Sequence, residues 1–119
     1  MFEHLDGASG LAHSDEAMMA ATQLTPVELS DLFGLSEDVL ARRRRSGGMS
    51  RAERLQLARI AKVLEEAQRI LGDRTRGLEW LKHPNRALSF RTPLVLLGSQ
   101  KGTTRVLEAL GRMGGGGFA

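Results

Sequence analysis

Helix-start signals recur along this sequence, and they constrain its fold more than any other feature. Thr25-Pro26-Val27-Glu28 is a capping box with Pro at the first helical position. The Thr25 hydroxyl can accept from the backbone N–H near Glu28, and the Glu28 carboxylate can reach back. Ser50-Arg51-Ala52-Glu53 repeats the box, Ser36 and Asp73 are single caps, and Thr92-Pro93 repeats the cap-then-proline device. Apolar residues at three- and four-residue steps follow these starts. Leu57, Ile60/Ala61, Leu64, Ala67 and Ile70/Leu71 form one stripe on a helix that runs from Ser50 to about Leu71. Stops are marked as clearly: Gly34, Gly47-Gly48 and Gly72 stand where a chain leaves the right-handed helix, and Pro84 ends the next helix. Nothing alternates with period two for long enough to make a sheet. The expected fold is all-α, with about six helices.

Between Thr25 and Arg45 the pattern is helix, glycine-containing turn, helix over ~20 residues, which is the layout of a helix-turn-helix unit. Leu29 and Leu32 face inward with Val27 as a partial neighbour, and Val39 and Leu40 are the apolar positions of the second helix. Upstream, Ser14 can cap a short helix through Ala17, Met18 and Ala21, and the first ten or so residues are expected to be mobile. Downstream, Asp73 caps a helix carrying Leu78, Trp80 and Leu81. A lone Trp in a helical domain usually anchors packing, so Trp80 and Leu81 are expected in the core. Asn85 suits a turn or cap. Gly98 and Gly102 bracket a turn after Leu94, Leu96 and Leu97, and Val106, Leu107 and Leu110 mark a last helix before the Gly114–Gly117 run. The chain thus divides into an arm (1–21), a helix-turn-helix region (22–48), a connecting helix (49–72) and a C-terminal domain with a flexible tail (73–119).

With 41% hydrophobic and 26% charged residues, general disorder is not expected, and with aromatics at 4% the core must be aliphatic. The absence of Cys excludes disulfides, cysteine-based zinc sites and a thiol nucleophile. His4, His13 and His83 have no carboxylate or second His at ligand spacing and read as isolated surface residues, so no metal is expected. No Ser-His-Asp arrangement, phosphate loop or paired-carboxylate motif is present, so neither an enzyme nor a cofactor is expected. The N-terminus carries acids where a secretory signal would carry bases, and no apolar run approaches the ~18–20 residues of a membrane span. Cytoplasm is the expected compartment.

The net charge of +3 conceals a polarised distribution. Residues 1–40 hold eight acids and no Lys or Arg, whereas residues 41–119 hold all 17 bases and six acids, a net +11. The densest cluster, Arg42-Arg43-Arg44-Arg45, closes the second helix of the helix-turn-helix. One reading places these arginines on DNA phosphates. The other is electrostatic capping of their own helix, worth a few tenths of a kcal/mol. Four consecutive residues turn through ~300°, so they cannot all face one groove. Glu37 and Asp38 make the groove-entering end of that helix acidic, which counts against DNA.

Trp80-Leu81, Pro84-Asn85, Ala87-Leu88, Thr92-Pro93-Leu94 and Leu96-Leu97, followed by Gly102, Val106 and Leu110-Gly111-Arg112, together resemble the toxin-binding domain of the Xre/MbcA/ParS antitoxins. The helix-turn-helix and the helix from Ser50 match these antitoxins in order and spacing, so the resemblance covers about residues 22–119. It is specific in the C-terminal half and generic before it. The resemblance implies an Xre-like helix-turn-helix region followed by a small helical toxin-binding domain. It also implies a partner, a RES-type toxin that consumes NAD by degrading it or by transferring its ADP-ribose. The toxin-contacting residues would be Asn85, Arg86, Arg91, Lys101, Arg105, Arg112 and Met113, with Phe118 and Ala119 reaching the NAD pocket. An unstructured tail is the competing expectation. Ordering four glycines costs ~4–8 kcal/mol, or about three to six decades of affinity, so the helical surface must supply most of the binding. Two departures from the family pattern stand out. Ser89-Phe90 replaces a position that is often Gly, which either changes the turn or creates an apolar contact through Phe90. Gly114-Gly115 replaces positions that are often polar.

Two functions remain open on these grounds. One is an antitoxin that occludes its toxin and also represses its own operon through operator DNA. The other is a stand-alone helix-turn-helix regulator whose C-terminal helices only dimerise. Either one would form a homodimer, and the first a toxin–antitoxin hetero-oligomer.

Overall fold

The structure, a computed structural model, describes residues 15–114. The Ser14 cap, His4, His13, the N-terminal arm before Asp15 and the tail positions Phe118 and Ala119 lie outside the described residues. The described chain is all helical: α1 (15–21), α2 (Pro26–Phe33), α3 (Glu37–Ser46), α4 (Arg51–Leu71), α5 (Arg74–Lys82), a single 3-10 turn (Arg86–Leu88), α6 (Pro93–Leu96) and α7 (Gln100–Met113). No described helix is long and apolar enough to cross a membrane. The chain forms two compact units that divide after Ala58, within α4.

The capping boxes form as the sequence predicts. In the first unit, the Thr25 backbone N–H donates to Glu28 Oε1 at 2.8 Å while the Glu28 N–H donates to Thr25 Oγ1 at 3.1 Å. Ser50 and Glu53 repeat the exchange at 2.8 and 3.1 Å, opening α4. Ser36 Oγ accepts from the Val39 N–H, which starts α3, and Gly34 (φ +67°) makes the bend between α2 and α3. Leu29 and Leu40 are buried, together with Met19, Leu24, Met49 and Leu57. Two expectations about α2 need correction. Val27 is 51% exposed and Leu32 is only half-buried. The buried neighbour is Ser30, whose hydroxyl donates to the Val27 carbonyl at 2.9 Å and so enters the interior without an unmet donor.

The same unit contains an ion pair that connects elements distant in sequence. Asp15, at the start of α1, is completely buried. Its carboxylate accepts from Arg54 Nε at 2.7 Å and from the Met49 backbone N–H at 3.4 Å. Arg54 also donates to the Gly47 carbonyl at 3.1 Å. One carboxylate therefore holds α1, the α3–α4 connection and the first turns of α4 together.

In the second unit the buried residues include Ile60, Val63, Leu64 and Ala67 of α4, Leu81 of α5, Leu88, Leu96 and Leu97, and Val106, Ala109 and Leu110 of α7. The stripe on α4 is as the sequence predicts from Leu57 to Ala67, except that Val63 rather than Ala61 is buried; its expected end, Ile70 and Leu71, is only half-buried. Leu81 is fully buried as expected, whereas Trp80 is only half-buried. Gly77 lets α5 approach α4 closely, since a Cβ there would lie 2.9 Å from Gln68 backbone atoms. Gly102 does not bracket a turn as expected. Ser99 caps α7 by accepting from the Gly102 N–H at 2.9 Å, and Gly102 sits inside the first turn of α7. A Cβ at Gly102 would fall 2.0 Å from the Leu96 carbonyl oxygen, so α6 can end against α7 only if this position has no side chain.

Candidate protein-binding surface

The segment between α5 and α6 is built around Asn85. Pro84 ends α5, after which the Asn85 side-chain oxygen accepts from the Ala87 N–H at 2.8 Å and starts the 3-10 turn. The Asn85 N–H donates to the Arg91 carbonyl at 3.0 Å, and the Asn85 carbonyl accepts from Phe90 at 2.8 Å. The ends of the loop are thus tied together, and its backbone is fixed from Asn85 to Arg91. Asn85, expected to contact a partner, is in the structure the organiser of this loop. The Arg91 N–H donates to Leu88 at 3.1 Å, closing a tight turn whose central residues Ser89 (φ +59°) and Phe90 (φ +64°) are both left-handed. Each non-glycine residue held there costs on the order of 1 kcal/mol or more. The turn thus keeps the conformation a glycine would adopt cheaply, and it leaves the Phe90 side chain 69% exposed.

The expected basic residues are placed outward. Arg86 and Arg91 are exposed at the two ends of this loop, and Lys101 and Arg112 are exposed on α7 with Arg105 half-buried. Lys101, Arg105 and Arg112 are four and eleven residues apart on one helix, so they fall within about 40° of one stripe. Glu108 lies on the same stripe. None of Arg86, Arg91, Lys101, Arg105 and Arg112 forms an ion pair with another described residue. Composition contributes to this around the loop: residues 80–107 contain no Asp or Glu, yet contain Lys82, Arg86, Arg91, Lys101 and Arg105. On α7, Glu108 stands three residues from Arg105 and four from Arg112 and pairs with neither. Exposed apolar side chains accompany these charges. Val95 on α6 is 62% exposed, Met113 at the end of α7 is 46% exposed and Leu107 is 38% exposed. Val95 and Phe90 are functional candidates that residue types alone did not reveal, because their exposure depends on how the turn and α6 are folded.

The Arg42–Arg45 run is dispersed around α3. Arg43 is held by Glu53 in a two-pronged pair at 2.8 and 2.9 Å, and Arg44 helps to line a shallow 280 Å³ cleft beside Glu16 and Met19. Arg42 and Arg45 are exposed, as are Glu37 and Asp38 at the opposite end of the helix. Burial pushes the Glu53 carboxyl up, but the Ser50 N–H and the Arg43 charge outweigh it and hold Glu53 below its ordinary value. His83 Nδ1 lies 2.7 Å from the Glu79 carbonyl, and no group of described His, Asp or Glu residues is arranged to hold a metal ion.

Residues 66–116, which include this entire surface, match the family described as the antitoxin Xre/MbcA/ParS C-terminal toxin-binding domain. This segment belongs to the Xre/MbcA/ParS antitoxin family. Curated relatives agree with that assignment. The chain is 32% identical over 87 residues to an antitoxin Xre of Pseudomonas putida, covering 73% of this chain and 54% of the relative. It is 30% identical over 68 residues to an antitoxin Xre of Photorhabdus laumondii, covering 56% of this chain and 46% of that relative. The chain therefore spans about half the length of the curated relatives it matches.

Proposed function

We propose that this chain is the antitoxin of a type II toxin–antitoxin pair, and that it neutralises a RES-type, NAD-consuming toxin by covering the toxin's NAD site with its C-terminal region. The observation that carries this reading is the coincidence of the matched toxin-binding segment with an outward-facing basic and apolar surface. An acidic toxin surface supplies the charges that residues 80–107 lack. In this reading Asn85, Arg86, Arg91, Lys101, Arg105, Arg112 and Met113 contact the toxin, and Asn85 also fixes the loop that presents Arg86 and Arg91. Phe118 and Ala119 extend the contact toward the NAD site. The pair assembles as a hetero-oligomer around an antitoxin dimer, and the arm, helix-turn-helix region, connecting helix and toxin-binding domain follow the boundaries 1–21, 22–48, 49–72 and 73–119.

Autorepression through α2 and α3 belongs to the fuller form of the proposal. The exposed Arg42 and Arg45 support phosphate contact, while Glu37 and Asp38 weigh against base contact by the entering end of α3. The decisive experiment is co-expression with the product of the adjacent reading frame, which on this reading carries a RES domain. The full chain should restore growth and cellular NAD, and a chain lacking residues 112–119 should fail to do so while keeping its helical content. Growth arrest that persists with the full chain would refute the antitoxin reading. Promoter binding that is lost on replacing Arg42 and Arg45, without any association with the toxin, would favour the stand-alone regulator.

A further inference from the structure

The Ser89-Phe90 turn combines two features that folding of this chain does not account for. A large aromatic ring is left 69% exposed, and its backbone occupies the left-handed region that glycine alone adopts readily. The loop that holds it is fixed at both ends by Asn85, so the ring is presented on a rigid support rather than on a mobile tip. Exposed Arg86 and Arg91 flank it, Val95 follows on α6, and no acid occurs anywhere from Trp80 to Leu107. Pre-organised aromatic residues surrounded by polar neighbours are the side chains that concentrate binding energy at protein interfaces.

We propose that Phe90 is the aromatic anchor of the toxin contact, inserting into an apolar pocket on the toxin whose rim carries Asp or Glu side chains that meet Arg86 and Arg91. This rests on the antitoxin reading and gives it a specificity determinant. The tail acts at the NAD site, whereas Phe90 decides which toxin is held. A protein partner is favoured over a nucleic acid because the turn lies within the segment matched to a toxin-binding domain, and because a single ring offers no succession of stacking platforms.

The test is titration calorimetry of the chain against the purified toxin with which it restores growth in the co-expression experiment, alongside thermal unfolding of the free chain. Phe90→Gly removes the ring and relieves the turn at once. Its expected signature is a thermal midpoint equal to or above that of the parent, together with an affinity at least about thirtyfold lower. Phe90→Leu, which keeps an apolar side chain, should fall between the two. Parent-like affinity in Phe90→Gly would overturn the anchor while leaving the antitoxin reading intact. A thermal midpoint that drops by several degrees would make Phe90 a structural residue and overturn the proposal as well. If the parent chain itself does not bind, the antitoxin reading fails and the anchor with it. Phe90-dependent binding of a labelled single-stranded oligonucleotide, with toxin affinity unchanged, would reassign the ring to nucleic acid and overturn the proposal.

Discussion

In the first unit, Asp15 is buried against Arg54 and Glu53 grips Arg43, so oppositely charged side chains from different helices close on one another. In the second, the only ion pair among the described residues is the local one between Glu66 and Arg69 on α4, and the bases from Lys82 to Arg105 have no acid among them. The apolar surfaces differ in the same sense. The first unit exposes Val27 and Leu55, on α2 and α4, whereas the second exposes Phe90, Val95, Leu107 and Met113 on its turn, α6 and α7. One unit uses its charges to hold its own helices. In the other, helices approach closely at Gly77 and Gly102, and Arg86, Arg91, Lys101, Arg105 and Arg112 form no ion pair with another described residue. Net charge alone did not distinguish these two uses of arginine; the positions of the acids did.

The largest expected effect tests how the second unit is held. In Gly102→Ala the new methyl group would overlap the Leu96 carbonyl, and α6 and α7 would have to separate. A loss of about 3 kcal/mol in urea unfolding is expected. A loss under ~1 kcal/mol would show that the approach of α6 to α7 is not what fixes this unit. The corresponding test of the first unit is Asp15→Ala, which orphans the buried Met49 N–H and deprives Arg54 of its partner. The expected loss is about 2 kcal/mol. If Asp15→Ala is silent, charge closure does not hold the first unit and the contrast between the two collapses.

Most of the fold was legible in the sequence because its helices begin at side chains that can bond only locally. Thr25, Ser36, Ser50, Asp73 and Thr92 each cap the helix they were expected to cap, and the decision is made within three or four residues. What was not legible depends on partners far away in the chain. Asp15 counted only as one of the eight acids before residue 41, yet its partners Met49 and Arg54 lie more than thirty positions downstream. Trp80 and Leu81 were both expected inside, and the α5 register buries Leu81 fully but Trp80 only in part. The candidate surface was partly legible: its bases could be read directly from the sequence, and its family resemblance from the Trp80–Arg112 pattern. The outward position of Phe90 could not be read, because it follows from the hydrogen bonds of Asn85 across the loop.

If the bases of the second unit face a partner rather than solvate the surface, reversing them should leave stability alone and weaken association. Arg86→Glu combined with Arg91→Glu should change unfolding free energy by less than ~0.5 kcal/mol. Toxin affinity should fall about tenfold, mainly through slower association, and the difference should shrink as salt is raised. Stopped-flow association at two salt concentrations would check this. A defect that is independent of salt would show that the arginines act by shape and not by charge.

The smallest effect concerns Glu53, where the first unit's charge closure can be titrated. Its carboxyl is held below its ordinary value of 4.5, because the Ser50 N–H and the Arg43 guanidinium favour the ionised form more than burial opposes it. A group whose value is depressed on folding contributes stability that is present in full above its unfolded value. That stability is lost as pH falls through the lower folded value. The pair is partly exposed, so its worth is under ~1 kcal/mol. Glu53→Gln should therefore be less stable than the parent by that small margin at neutral pH. The gap should stay constant down to a pH of about 4.5 and close below it. Urea titrations of both proteins across that range would read it directly. A gap that persists in acid would mean that Glu53 acts as a neutral cap for α4, leaving Asp15 and Arg54 as the charge pair that closes the first unit.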